Sequence, residues 1–209
     1  MLRQSVGIDP CNITNYNRTD EELQWFWVFS LFVAGKNSDT AVKSCQKLHD
    51  YLELEPLLHG GGQVPFYDWY CLSVDDRLAA LRHSKIGQYG RLQSAMGWST
   101  LQITEDPDFL KTCTLEKLLE CPGCGNKTAR FFLLHSRPDC ECLPLDRHIL
   151  NWMREYFHIP GVPKDTPTNN TRYTEWEHAG RKLIQLSYPW YTLAEADLHI
   201  WRLMSGRDS

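Results

Sequence analysis

The sequence predicts an all-α protein, a two-lobed helical bundle, and three observations carry that expectation. Apolar residues recur at helical spacing through most of the 209 residues, with no convincing run of alternating apolar and polar positions and no internal repeat. Two segments, Thr19-Asp20-Glu21-Glu22 and Thr192-Leu193-Ala194-Glu195, have the Thr-x-x-Glu pattern. In that pattern the threonine accepts from the amide three residues on, and the glutamate reaches back to the threonine amide. Cys121-Pro122-Gly123-Cys124-Gly125 is a tight turn set between two helical segments.

The elements follow in order. The first capping box opens an apolar helix running to Val33. Ser38 or Asp39 starts a second, with Ala41, Val42, Cys45, Leu48, His49 and Leu52 on one face. Residues 53–66 contain Pro56, three consecutive glycines from Gly60, and Pro65, and read as a loop. Ser73-Val74-Asp75-Asp76 caps a short helix bearing Leu78, Ala79 and Leu81, and another helix spans Gln88 to Met96. Asp106-Pro107-Asp108 is a turn, and Thr114 begins a short helix ending near Glu120. After the glycine turn a helix runs from Asn126 to His135, giving a helix, a hairpin turn and a second helix. Further helices cover Asp146–Tyr156 and residues 171–187, joined by a connector rigidified by Pro160, Pro163 and Pro167. The second capping box opens the last helix. The count is roughly ten helices. A middle lobe of about 40–135 and a second lobe, made of the N-terminal segment with 136–209, divide a single domain spanning 1–209.

Composition narrows the function. With 42% hydrophobic and 12% aromatic residues the chain can bury a core. A net charge of −4 argues against coating nucleic acid by bulk electrostatics, though not against holding it through backbone amides and a local basic face. The longest apolar run, Trp25 to Ala34, is broken by Ser30 and too short to span a bilayer, and the first residues lack the apolar core of a signal peptide. The expectation is a soluble cytoplasmic monomer. In that compartment the eight cysteines read as thiols rather than disulfides. Cys121-x2-Cys124 with Cys140-x-Cys142 is the one arrangement resembling a zinc site, and small buried side chains packing the turn are the stronger reading. No metal and no cofactor are expected.

The chemistry concentrates at one place. Gly123 and Gly125 leave the turn without Cβ atoms, so its amides can approach an anion closely. The helix that follows aims its unpaired N–H groups at the same point. This combination grips a phosphate. Lys127 stands at the start of that helix, and Asp146 follows nineteen residues later, in Leu143-Pro144-Leu145-Asp146-Arg147-His148. An amine and a carboxylate beside a gripped phosphate could do chemistry at the adjoining sugar.

These residues resemble the helix-hairpin-helix DNA glycosylase superfamily, the base-excision enzymes that include endonuclease III-like and 8-oxoguanine glycosylases. Members carry a Leu-Pro-Gly-Val-Gly-x-Lys turn, a helix, and a loop ending in Val-Asp-x-His. Here the turn is Cys121-Pro122-Gly123-Cys124-Gly125-Asn126-Lys127 and the later segment is Leu145-Asp146-Arg147-His148. The stretches Leu145 to Trp152, Val162 to Pro167 and Asp197-Leu198-His199-Ile200-Trp201 look like the C-terminal half of archaeal-type 8-oxoguanine glycosylases and related phage and bacterial proteins. Lys85-Ile86-Gly87-Gln88-Tyr89 is similar to an upstream element. The match is good over about 85–205 and weak over 1–84.

The resemblance implies a DNA glycosylase that flips a modified base out of the duplex, with its active site in the cleft between the lobes. Asp146 would stabilise the cationic sugar or help deprotonate the nucleophile. Lys127 would attack C1′ to form a Schiff base, since lysine at this position marks a bifunctional glycosylase/lyase. Asp146 also suits an N-cap, a compatible role, and Lys127 could instead only bind phosphate. Gly123, Gly125, Asn126 and Thr128 would contact the DNA backbone. Arg130 and Arg147, with Arg154, Lys164 and Arg172, would supply the basic face. Asn37, Trp69, Tyr89 and Trp201 are the base-pocket candidates, Lys36 could touch phosphate, and His148 suits a core or loop hydrogen bond. The substrate is an oxidised purine such as 8-oxoguanine, or a hypermodified phage pyrimidine removed as an antiviral defence. The alternatives are a base-modifying transferase on the same scaffold and a non-catalytic DNA-binding module.

Overall fold

The computed structural model describes residues 6–54 and 65–207. Among them it is all-helical, with eleven helices and no strand. No described helix is long and apolar enough to cross a membrane. The chain divides into two compact units, Met1–Pro10 with Asn17–Cys124, and Cys11–Tyr16 with Gly125–Ser209. The lobes read from the sequence draw that boundary elsewhere, grouping the first helix with the C-terminal region.

The first unit holds α1 (Asp20–Phe32), α2 (Ser38–Leu54), α3 (Pro65–Cys71), α4 (Val74–Ser84), α5 (Tyr89–Glu105), α6 (Phe109–Thr112) and α7 (Leu115–Leu119). Its centre is α1, buried at every position from Leu23 to Phe32. A helix apolar all round must be surrounded, and α2, α3, α5 and α6 pack on it. Two of the polar atoms this buries are paired, Trp27 Nε1 donating to Ser99 Oγ at 2.8 Å and Ser30 Oγ to the Phe26 carbonyl at 2.8 Å, while Trp25 Nε1 has no hydrogen-bond partner. The expected capping box at Thr19 is present, and on α2 Ala41, Cys45, Leu48, His49 and Leu52 form the buried face.

Several boundaries differ from expectation. Residues 53–54 continue α2, and Pro65 opens α3 instead of closing a loop. Proline is tolerated at a first helical position because its missing N–H has no partner there anyway. The rest of the expected loop, 55–64, lies outside the described residues. The helix expected over Gln88–Met96 runs on to Glu105, where Thr100 and Thr104 turn their hydroxyls back onto the helix carbonyls at 2.8 Å. On α4 the inward alanine is Ala80, and Ala79 is exposed.

The second unit holds α8 (Asn126–Ser136), α9 (Arg147–Phe157), α10 (Asn170–Ser187) and α11 (Leu193–Ser205). Its core gathers Leu143, Leu145, Ile149, Leu150, Trp152, Met153, Val162, Tyr173, Ile184, Ala196 and Ile200. The capping box at Thr192 is present, and Gly206 closes α11 in the left-handed region at φ 71°.

Candidate active site

The turn before α8 is fixed from within the first unit. Gly123 has φ +75°, a left-handed conformation that non-glycine residues rarely adopt. A Cβ there would meet Arg91 Cγ at 2.3 Å. Arg91 clamps the turn, donating from Nη1 to the Gly123 carbonyl at 2.9 Å and from Nη2 to the Leu31 carbonyl at 3.0 Å. Cys121 and Cys124 are buried behind the turn, and burial pushes the Cys121 thiol up to about 12. Both pack the turn as small apolar side chains.

In the second unit Gly125 is the N-cap of α8 and offers no side chain to the first helical amides. The amide end of α8 is therefore not capped by its own sequence, and the helix dipole favours an anion there. Lys127 lies in this first turn, partly exposed, with Nζ 5.0 Å from the Phe131 ring centroid. It makes no ion pair with a described residue. Asp146 is the N-cap of α9. Its Oδ1 accepts from the amides of His148 at 2.8 Å and Ile149 at 2.9 Å. No described residue bonds Oδ2, and the carboxylate is partly exposed.

A third carboxyl group ties these two together. Asp197 on α11 is buried, which raises its pKa. Its bond to His135 opposes that shift, the charge of Asp146 adds to it, and the charge of Lys127 opposes it. Lys127 and Asp146 thus both lie within electrostatic reach of one buried side chain. His135 is itself buried, with Nε2 3.1 Å from Asp197 Oδ2 and Nδ1 2.8 Å from Thr14 Oγ1. The Asn15 amide donates to the His135 carbonyl at 3.2 Å, so the segment Cys11–Tyr16 is stitched to α8.

The segment 137–145, between α8 and α9, delivers Asp146. Glu177 on α10 receives the Leu143 amide on Oε1 at 2.8 Å. The Tyr173 hydroxyl accepts from the Leu145 amide at 2.7 Å and donates to the Leu143 carbonyl at 3.1 Å. Glu177 is held in turn by Arg130, whose Nε lies 2.9 Å from both carboxylate oxygens. Arg130 also stacks 4.3 Å from the Tyr173 ring centroid and donates from Nη1 to Asn126 Oδ1 at 2.6 Å. A buried charge needs a partner, and here the pair fastens the strap that carries the candidate carboxylate.

Several predicted site residues are placed differently by these contacts. Arg130 is 5% exposed and faces Glu177, not solvent, so its guanidinium is no part of an exposed basic face. The Asn126 side chain turns inward to Arg130 and Asn170, and Thr128 is buried, leaving their amides as the groups available to an anion. Asn37 caps α2, accepting from the amides of Asp39 at 2.9 Å and Thr40 at 3.3 Å. Trp69 is fully buried, although its Nε1 has no hydrogen-bond partner. Tyr89 begins α5, partly exposed. Trp201 lies edge-on to His148, centroids 6.4 Å apart, with Arg207 Cζ 4.8 Å from the Trp201 ring centroid. Gly123, Gly125 and Arg147 are exposed, as are Lys164 and Arg172, while Arg154 is tied to the Pro163 carbonyl at 2.9 Å. Glu177, Tyr173 and Arg91 escaped the sequence reading. Glu177 had one signal, a charged residue in the apolar stripe Tyr173, Gly180, Ile184.

No family model matches the chain, and no curated protein does. Solved structures do. The chain is similar to the Methanocaldococcus jannaschii 8-oxoguanine glycosylase/lyase in complex with 15mer DNA containing 8-oxoguanine. The TM-score is 0.67 with 20% identity, over 91% of this chain and 84% of that one. It is similar also to the M. jannaschii 8-oxoguanine DNA glycosylase, with TM-score 0.68 and 18% identity over 93% of this chain and 84% of that one. The protein has the helical fold of the archaeal 8-oxoguanine DNA glycosylases.

Proposed function

We propose that the protein is a DNA N-glycosylase with abasic-site lyase activity. The observation that carries this reading is the conjunction of Lys127, in the first turn of a helix whose N-cap is Gly125, with Asp146, anchored through one oxygen only. Both are partly exposed and both act on buried Asp197. The likeness to the two glycosylase structures supports it.

In this reading the amides at the start of α8, with Gly123 and Gly125 of the preceding turn, hold a backbone phosphate beside the target nucleotide. The base is flipped from the stack, since its glycosidic bond is unreachable inside a duplex. As the bond to the base lengthens, positive charge grows on the sugar, and the free oxygen of Asp146 faces that charge. Lys127 gives up a proton to solvent and its amine attacks C1′, and the base leaves with the glycosidic electron pair and takes up a proton. Loss of a proton from nitrogen and opening of the sugar give the imine. Removal of a C2′ proton then expels the 3′ phosphate by β-elimination. Arg147 would steady the backbone. An oxidised purine is the substrate class that the two similar structures favour; a hypermodified pyrimidine is the competing one.

Mass spectrometry of bases released from a DNA panel tests the proposal. The panel holds 8-oxoguanine, uracil and thymine-glycol oligomers and phage DNA with modified pyrimidines. One free base, released by the wild type and not by Asp146→Asn, is the expected result and names the substrate. Intact DNA binding with no release from any member would overturn the enzymatic reading.

A further inference from the structure

The strap that carries Asp146 also carries two cysteines that the glycosylase chemistry does not use. Cys140 and Cys142 are both free and partly exposed, whereas Cys45, Cys113, Cys121 and Cys124 are buried. The Cys140 amide donates to the Arg137 carbonyl at 3.4 Å, turning the chain back on itself. The Cys142 amide donates to Cys140 Sγ at 3.4 Å, and the two thiols hydrogen-bond each other. Glu141, between them, is exposed and paired with Arg181.

We propose that Cys140 and Cys142 are a redox-active dithiol, a modification site for low-molecular-weight disulfides, whose closure displaces the strap and withdraws Asp146 from its working position. The effect on Asp146 rests on the glycosylase reading; the thiol chemistry does not.

The geometry gives each sulfur a different part. The bond from the Cys142 thiol, its backbone amide and the Arg137 charge all stabilise a thiolate on Cys140. Against burial and Glu177, they bring that thiol down to about 7. The Cys142 thiol moves the other way, because losing its proton would break the bond to Cys140 and leave a charge partly buried. The thiolate is the attacking species in exchange. Cys140 therefore attacks one sulfur of the external disulfide and expels the other half as a thiolate. Cys142 then gives up its proton to solvent and attacks Cys140 Sγ, expelling the second half. Two cysteines lose two electrons in total, and one disulfide is reduced to two thiols.

Closure would not leave the strap unmoved. An extended chain separates the Cα atoms of residues i and i+2 by about 7 Å, and a disulfide needs roughly 4.4–6.8 Å. The Arg137–Cys140 turn ends where the pair begins, so bond formation must itself shorten the span from Cys140 to Cys142. The strap has no slack beyond Cys142. Leu143 is tied to Glu177 and Tyr173, and its side chain lies where a Cβ on Gly180 would come within 2.8 Å. Close-packed interiors pass such a displacement on rather than absorb it, and Asp146 is four residues from Cys142.

The test incubates the full chain with mixtures of oxidised and reduced glutathione, then maps cysteines by mass spectrometry alongside base release. The expected result is a Cys140–Cys142 disulfide that slows base release on the order of a hundredfold, the cost of misplacing a reacting group. Dithiothreitol should reverse it. Cys142→Ser should stop at a glutathione adduct on Cys140, and Cys140→Ser should keep its activity in oxidant. Cys140 and Cys142 remaining reduced while the partly exposed Cys11 or Cys71 reacts would overturn the site. A disulfide with unchanged base release would overturn its link to Asp146. If no DNA yields a base, the peptide map still decides the dithiol, so the two proposals fail separately.

Discussion

The glycine turn and the strap both hold a functional group in place, and they do so by opposite means. At the turn the groups on offer are backbone amides, and positioning comes from local conformation: Gly123 at φ +75°, Gly125 as a bare cap, and one long-range clamp from Arg91. At the strap the group is a side chain, and positioning comes from a buried chain of contacts. It runs from Asn126 through Arg130 and Glu177 to the Leu143 amide, with Tyr173 beside it. In the proposed reading, a phosphate-binding motif is written in seven consecutive residues, while a carboxylate that meets a sugar draws on two helices besides the one it caps.

The contrast sets the order of expected effects. Asp146→Asn should abolish base release, by about 100-fold or more, while DNA binding holds or strengthens because a negative charge is removed. Binding isotherms beside release rates check this. Because the substituted side chain keeps a cap acceptor, melting should change little.

Glu177→Ala should act through stability. It leaves the buried Arg130 charge without its carboxylate and the Leu143 amide without its acceptor, a loss of about 3–5 kcal/mol. Urea unfolding measures it. A variant as stable as wild type would show that the network does not hold the strap.

Gly123→Ala should cost less, roughly 1–3 kcal/mol, from forcing a left-handed residue and pushing on Arg91. Its mark should be weaker DNA binding with Asp146 chemistry intact, read as a rise in Kd at a near-constant single-turnover rate. Thr192→Ala removes a cap remote from both regions and should lower stability by about 1 kcal/mol with no change in DNA binding.

Asp197 adds a pH dependence. Its folded-state pKa is raised, so its contribution to stability is full below its unfolded value of about 3.9 and is lost as pH rises through the folded value. Relative to wild type, Asp197→Asn should therefore gain stability as pH increases across that window, in parallel denaturation series. The shift of His135 from a carboxylate to an amide partner sets the size of the residual.

The same contrast explains what could be read from the chain alone. The capping boxes at Thr19 and Thr192, the helix start at Asn126 and the N-cap at Asp146 follow local rules, and each is present as expected. Arg130 and Asn126 look like surface groups next to a DNA motif, because nothing nearby in sequence announces that Glu177, forty-seven residues on, will draw Arg130 inward. Asn37 was read as a reader of bases, but an asparagine two residues before Asp39 also satisfies the free amides of α2, and that local demand wins. Pro65 looks like a breaker in sequence and is a helix start in the fold. Asp197 sat in a recognisable segment, yet its burial against His135 depends on a tertiary contact that periodicity does not encode.

The proposed mechanism turns on covalent chemistry at Lys127. Borohydride reduction during reaction with DNA containing the excised base, followed by peptide mapping, tests it directly. A stable protein–DNA adduct on Lys127 that vanishes in Lys127→Ala is the expected result. An adduct that persists in that variant, or base release with no adduct at all, would contradict it.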